Sequence, residues 1–175
     1  MKLIRGGLSK RWIIDDVLIT VTTLENVPSG LEVMVFEEDT SLILTVDKEM
    51  YFEDEHPIRL MTAIHRAKTH EPGTLVRNGK SWYAVVVDLN CEQVCDEKWV
   101  SAAYQQVFSE SKKKGVSLMA IHLLGTMQAR LAIPEAVNLF VDTLKANRPP
   151  GLKQVWLIVT TDHIRAVRLE LDRHA

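Results

Sequence analysis

The chain is 175 residues long, 46% hydrophobic and 25% charged, proportions that suit one soluble globular domain over 1–175 with a substantial core. Its formal net charge of −2 offers no concentrated basic surface, so neither DNA nor RNA is expected as a partner. No apolar stretch approaches the roughly 20 residues that cross a bilayer, and charges interrupt the N-terminus too often for a signal peptide, which points to a cytoplasmic protein without a membrane partner.

From Arg11 to Thr23, the residues Ile13, Val17, Ile19 and Val21 recur on a period near two, and Val33-Met34-Val35 and Leu42-Ile43-Leu44 are further short apolar runs. This first part is strand-rich. Val27-Pro28-Ser29-Gly30 makes a turn between two of these strands, because proline fixes φ and glycine accepts positive φ. After Pro57, residues Ile58, Met61, Ile64 and Ala67 fall on helical spacing until Pro72-Gly73 stops the run. Trp82 to Val87 reads as a strand covered on both faces.

Asp96 to Lys114 is an amphipathic helix with Trp99, Val100, Ala103, Tyr104, Val107 and Phe108 inward. Asp96 and Glu97 open it, Lys112-Lys113-Lys114 close it against the dipole, and Gly115 ends it. Val116 to Leu123 reads as a buried strand, Pro134 to Ala146 as a helix with Val137, Phe140, Val141 and Leu144 inward, and Val155 to Val159 as another core strand. Asn147-Arg148-Pro149-Pro150-Gly151 is the stop and turn between them. From Thr161 onward Ile164, Val167 and Leu171 favour a helix. The alternation predicts an α/β fold, a mixed, mostly parallel sheet sandwiched between helices.

In such sheets ligands sit beyond the carboxyl ends of the strands. Those positions hold Asp88 and Asn90, then His122 with Gly125-Thr126, then Thr160, Thr161, Asp162 and His163. Leu124-Gly125-Thr126 is a strand-to-helix turn of the kind whose free N–H groups cradle an anion, although Met127-Gln128-Ala129-Arg130 behind it contains no glycine. Nucleophile-elbow, zinc-helix and glycine-rich nucleotide motifs are missing, so no catalytic residue is named. His65 and His70 are five apart and lie on different helical faces, and Cys91 and Cys95 match neither redox nor metal spacing. Two reduced thiols, no metal and no cofactor are the expectation.

Read together, three segments resemble a macro domain. Leu123-Leu124-Gly125-Thr126, then Pro134-Glu135-Ala136-Val137 and Phe140, then Pro149-Pro150-Gly151-Leu152 and Val155 to Val159, are similar to that family's phosphate loop, helix and final strand. Thr62-Ala63-Ile64-His65-Arg66-Ala67, followed by Pro72-Gly73-Thr74, resembles the helix after its glycine-rich loop, and Leu31 to Leu42 resembles the strand that ends in its asparagine motif. Where the family has Asn-Ala-Ala-Asn this chain has Phe36-Glu37-Glu38-Asp39, and Glu53-Asp54-Glu55-His56-Pro57 stands in place of its glycines. Between Glu37 and Glu55 eight acids face Lys48 alone, a balance of 1 − 8 = −7; such a run is either solvated or attracts a cation or basic partner.

The resemblance implies a module that binds ADP-ribose or another phosphorylated, nucleotide-like small molecule without catalysis. Asp39, Asp88, His122, Gly125, Thr126, Met127, Gln128 and Arg130 are its candidate ligand-binding residues. The alternative is a protein-interaction or homo-oligomeric assembly module whose pocket is filled by Met127, Phe36, Tyr51 and Phe52. A hydrolase of ADP-ribosylated substrates ranks below both.

Overall fold

A computed structural model of the chain describes residues 10–44, 69–128 and 131–175. Its strands are β1 (Arg11–Ile14), β2 (Val17–Thr22), β3 (Val33–Asp39), β4 (Leu75–Asn78), β5 (Ser81–Val87), β6 (Leu118–His122) and β7 (Gln154–Ile158). They form one sheet in the order β1-β2-β7-β6-β3-β5-β4. The five inner strands run parallel, and β1 and β4 join the edges as antiparallel hairpin partners of β2 and β5. The sheet is therefore mixed and mostly parallel, as the alternation of elements predicts.

The run from Arg11 to Thr23 is two strands instead of one. Asp15 and Asp16 turn the chain with φ of 48° and 64°, the left-handed geometry that two-residue hairpins require and that aspartate tolerates better than most residues. Arg148 holds this turn: its Nη1 donates to Asp15 O at 2.8 Å and to Asp16 Oδ2 at 3.2 Å, and its Nε lies 3.2 Å from Asp15 Oδ2. Ile13 consequently lies on the face opposite Trp12 and Ile14 and is exposed.

Leu42-Ile43-Leu44 is a turn and not a strand. Asp39 Oδ1 accepts from Ser41 N at 2.8 Å and Ile43 N at 3.1 Å, which curls the backbone and places Leu42 at φ 56°. The helix expected after Pro57 lies outside the described residues, as do Tyr51 and Phe52.

The described helices are α1 (Glu97–Lys114), α2 (Ile133–Asn147) and α3 (Ile164–Leu171). Asp96 caps α1 by accepting from Lys98 N at 2.8 Å, and Gly115 ends it at φ 64°. Pro134 fits the first turn of α2, where its missing N–H leaves no bond unmade. The three helices cover the sheet face that carries Trp12, Ile19, Val155, Met119 and Val35. Tyr104, Phe108 and Phe140 meet between α1 and α2 with ring centroids 5.6–6.4 Å apart, a favourable spacing for aromatic pairs. This core fixes where β6 stops and α2 begins, and hence the loop between them.

Candidate functional site

The carboxyl ends of β3 and β6 lie side by side, and a loop leaves β6 there to reach α2. Backbone N–H groups at such a bend have no partner in the sheet or the following helix, so something else must satisfy them when they are buried. In this loop the partner is Glu37, on the neighbouring strand. Its Oε2 accepts from Gly125 N at 2.7 Å and from Met127 N at 3.4 Å, and its Oε1 accepts from Gln128 N at 3.0 Å. Successive backbone amides that converge on one anion form a concave cradle for negative charge.

Other contacts hold the cradle in shape. Leu124 N donates to Tyr104 Oη at 2.9 Å, Thr126 Oγ1 donates to Leu123 O at 2.6 Å, and Leu131 N donates to Gly125 O at 2.8 Å. Gly125 is at φ 84°, a left-handed backbone that favours glycine, and a Cβ there would stand 2.5 Å from Leu131 Cδ1, so that side chain would have to shift.

Glu37 is 4% exposed, and its neighbours Glu38 and Asp39 are 0% and 2% exposed. Burial raises the Glu37 carboxyl above its ordinary value, and the loop's N–H bonds oppose that rise. Burial, then the Glu37 charge, pushes the Cys95 thiol up to about 12, and burial with the same charge raises the Tyr104 hydroxyl. These three acids are thus not part of a solvated charge run. Each is spent on backbone amides: Glu37 on the β6–α2 loop, Glu38 on Leu44 N and Asp39 N, and Asp39 on its own turn.

Of the residues proposed from sequence, Gly125, Thr126, Met127 and Gln128 share this loop, and Asp39 and His122 end the strands beside it. His122 is buried, with its ring edge-on to Phe36 at 5.4 Å. Asp88 follows Val87, the β5 partner of Asp39, and begins the loop after β5, where it accepts from Asn90 N at 3.0 Å and from Cys91 Sγ at 3.1 Å. Those bonds, the thiol's foremost, hold its carboxyl below the usual range. Arg130 lies outside the described residues. Phe36 stacks on Tyr83 at 5.9 Å. Among the described residues no group of three or more His, Cys, Asp or Glu side chains is placed to hold a metal ion, and no helix is long and apolar enough to cross a membrane.

Glu37 and Tyr104 were absent from the sequence-derived site. The available signal was three consecutive acids ending an apolar strand, a place where solvation is not on offer.

No protein-family model and no curated protein sequence matches the chain. Solved structures do match. A macrodomain variant from Oceanobacillus iheyensis with ADPR superposes with a TM-score of 0.68 at 13% identity, covering 94% of this chain and 97% of that one. The Oceanobacillus iheyensis macrodomain with ADP gives 0.65 at 17% identity over 94% and 95%, and a Trypanosoma brucei macrodomain in complex with ADP gives 0.58 at 10% over 87% and 68%.

Proposed function

We propose that this chain, whose fold is that of the macrodomains, is a binding module for a small nucleotide-like ligand and performs no hydrolysis of its own. The observation that carries this reading is the convergence of Gly125, Met127 and Gln128 N–H on a single anion at the carboxyl end of the sheet. The donors that hold a carboxylate there also suit a phosphate oxygen. ADP-ribose or another phosphorylated nucleotide is the ligand class, in line with the ADPR and ADP that accompany the matching macrodomains. Against hydrolysis stands the use of the acids. Asp39 is turned onto Ser41 and Ile43, and Asp88 onto Asn90 and Cys91, whereas a general base must reach the proton it removes.

The test is a thermal-shift and calorimetric titration with ADP-ribose, ADP and AMP at sub-millimolar concentration. One-site binding at a hundred times the dissociation constant stabilises the chain by about 2.7 kcal/mol. No shift with any of the three overturns the reading. One observation favours a second reading: Glu37 already fills the cradle, which fits an interaction or assembly module with a closed pocket. Light scattering on the eluting protein decides it, since that reading requires a stable oligomer or complex and fails for a monomer that binds nucleotide. Both readings take 1–175 as one cytoplasmic domain.

A further inference from the structure

We infer that Glu37 is a tethered anion: its carboxylate occupies the cradle formed by Gly125, Met127 and Gln128, keeps that loop folded when no ligand is present, and competes with any ligand anion for the same N–H groups. The competition rests on the ligand reading proposed above; the tethering does not.

The geometry has three parts. Both carboxylate oxygens accept from the loop, one from Gly125 and Met127 and the other from Gln128. An ionised carboxylate is all acceptor, and three N–H donors approaching its two oxygens match that capacity. The carboxylate also comes from a different strand: 88 to 91 residues separate it from the amides it binds. No local turn requires it there, and among the described residues of the loop no side chain takes its place. Finally, burial falls along the loop, with Gly125 and Thr126 buried, Met127 half-buried and Gln128 exposed, so the Gln128 end is the one nearer solvent. An anion arriving from solvent meets the Gln128 and Met127 amides first, and must then displace Glu37 to gain the Gly125 amide. Two anions in one low-dielectric cradle repel, so occupancy is one or the other.

The state with Glu37 withdrawn is therefore a minor one, and the affinity for an outside anion is lowered by the fraction of time the cradle is free. Removing the carboxylate removes that handicap and at the same time leaves the loop short of an anion.

The experiment is thermal melting of the full chain and of Glu37→Ala in sodium formate, sodium phosphate and sodium chloride at matched ionic strength. The variant is expected to melt lower than the parent, and to recover in a saturable way with formate or phosphate beyond any effect of chloride, while the parent responds to neither. A folded variant indifferent to formate and phosphate overturns the tether. If Glu37→Ala does not fold, Glu37→Gln keeps the volume, and hydrogen exchange at the Gly125 and Gln128 amides is expected to rise about tenfold or more, the scale of a lost bond; unchanged exchange overturns the tether. ADP-ribose separates the two proposals. Formate rescue without ADP-ribose binding to parent or variant supports the tether and sinks the ligand reading. Equal ADP-ribose binding to both, without rescue, sinks the tether and leaves the ligand reading standing. Rescue together with ADP-ribose binding about tenfold tighter to Glu37→Ala supports both.

Discussion

Two loops leave the same end of the sheet for a helix, and they satisfy their backbones in opposite ways. The loop from β5 to α1 is self-sufficient: Asp88 binds Asn90 and Cys91, Asp88 N donates to Val94 O at 2.9 Å, and Asp96 caps the helix through Lys98 N. Every partner is within six residues, and Leu89 to Gln93 are exposed. The loop from β6 to α2 relies on distant groups, Glu37 on β3 and Tyr104 on α1. The first loop carries its order with it. The second is ordered only once the sheet and α1 have assembled, and its ligand chemistry is therefore tied to tertiary structure.

The sharpest way to break this contrast is Glu37→Ala. It orphans the amide of buried Gly125, worth roughly 1–3 kcal/mol, and frees the half-buried Met127 and exposed Gln128 amides to water at smaller cost. Removing a buried charge offsets part of the loss, for a net destabilisation of about 1–2 kcal/mol by chemical denaturation. Tyr104→Phe keeps the ring and strips only the acceptor of the Leu124 N–H, so a loss of about 1–2 kcal/mol is expected by the same measurement. In the self-sufficient loop Asp96→Ala removes one cap and costs about 1 kcal/mol, without changing hydrogen exchange at Gly125.

A pH series separates the loops further. Because burial raises the Glu37 carboxyl, the folded chain holds that proton to higher pH than the unfolded chain does. The resulting stabilisation is complete below the ordinary glutamate value of about 4.3 and is lost as pH rises through the folded value. The stability difference between the parent and Glu37→Gln should shift against the parent over that window, and a flat difference would contradict it. The smallest effect is Asp88→Asn. The Asp88 carboxylate raises the exposed Cys91 thiol through its hydrogen bond and its charge, so the variant should alkylate faster at Cys91 near neutral pH with its melting unchanged.

The same contrast decides how much could be read from the sequence. Asp96, the inward stripe from Trp99 to Phe108 and Gly115 announce α1 because period, cap and stop lie within one segment. The β7 and α2 boundaries and the helical tail followed for the same reason. The Gly125-Thr126 turn was visible as an anion-type bend, but the anion it holds comes from β3, and no local pattern reveals which distant side chain closes a loop. The acids at β3 misled for a related reason. Charge runs usually face water, and only the pairing of β3 between β5 and β6 shows that Glu37, Glu38 and Asp39 end an interior strand. The split at Asp15-Asp16 was hidden because a two-residue turn between apolar residues preserves the period-two count from Ile13 to Val17.

The sheet order also sets a timetable for synthesis. Apart from its hairpin partner β1, strand β2 pairs only with β7, which the ribosome makes far later. At 5–20 residues per second the interval is on the order of ten seconds. Throughout it Val17, Ile19 and Val21 belong to a two-stranded hairpin, which is marginal in water by itself. The nascent chain thus carries an uncapped apolar edge from the synthesis of β2 until that of β7, and a factor that shields such edges would raise the yield of folded protein more than it would change the stability of the finished one.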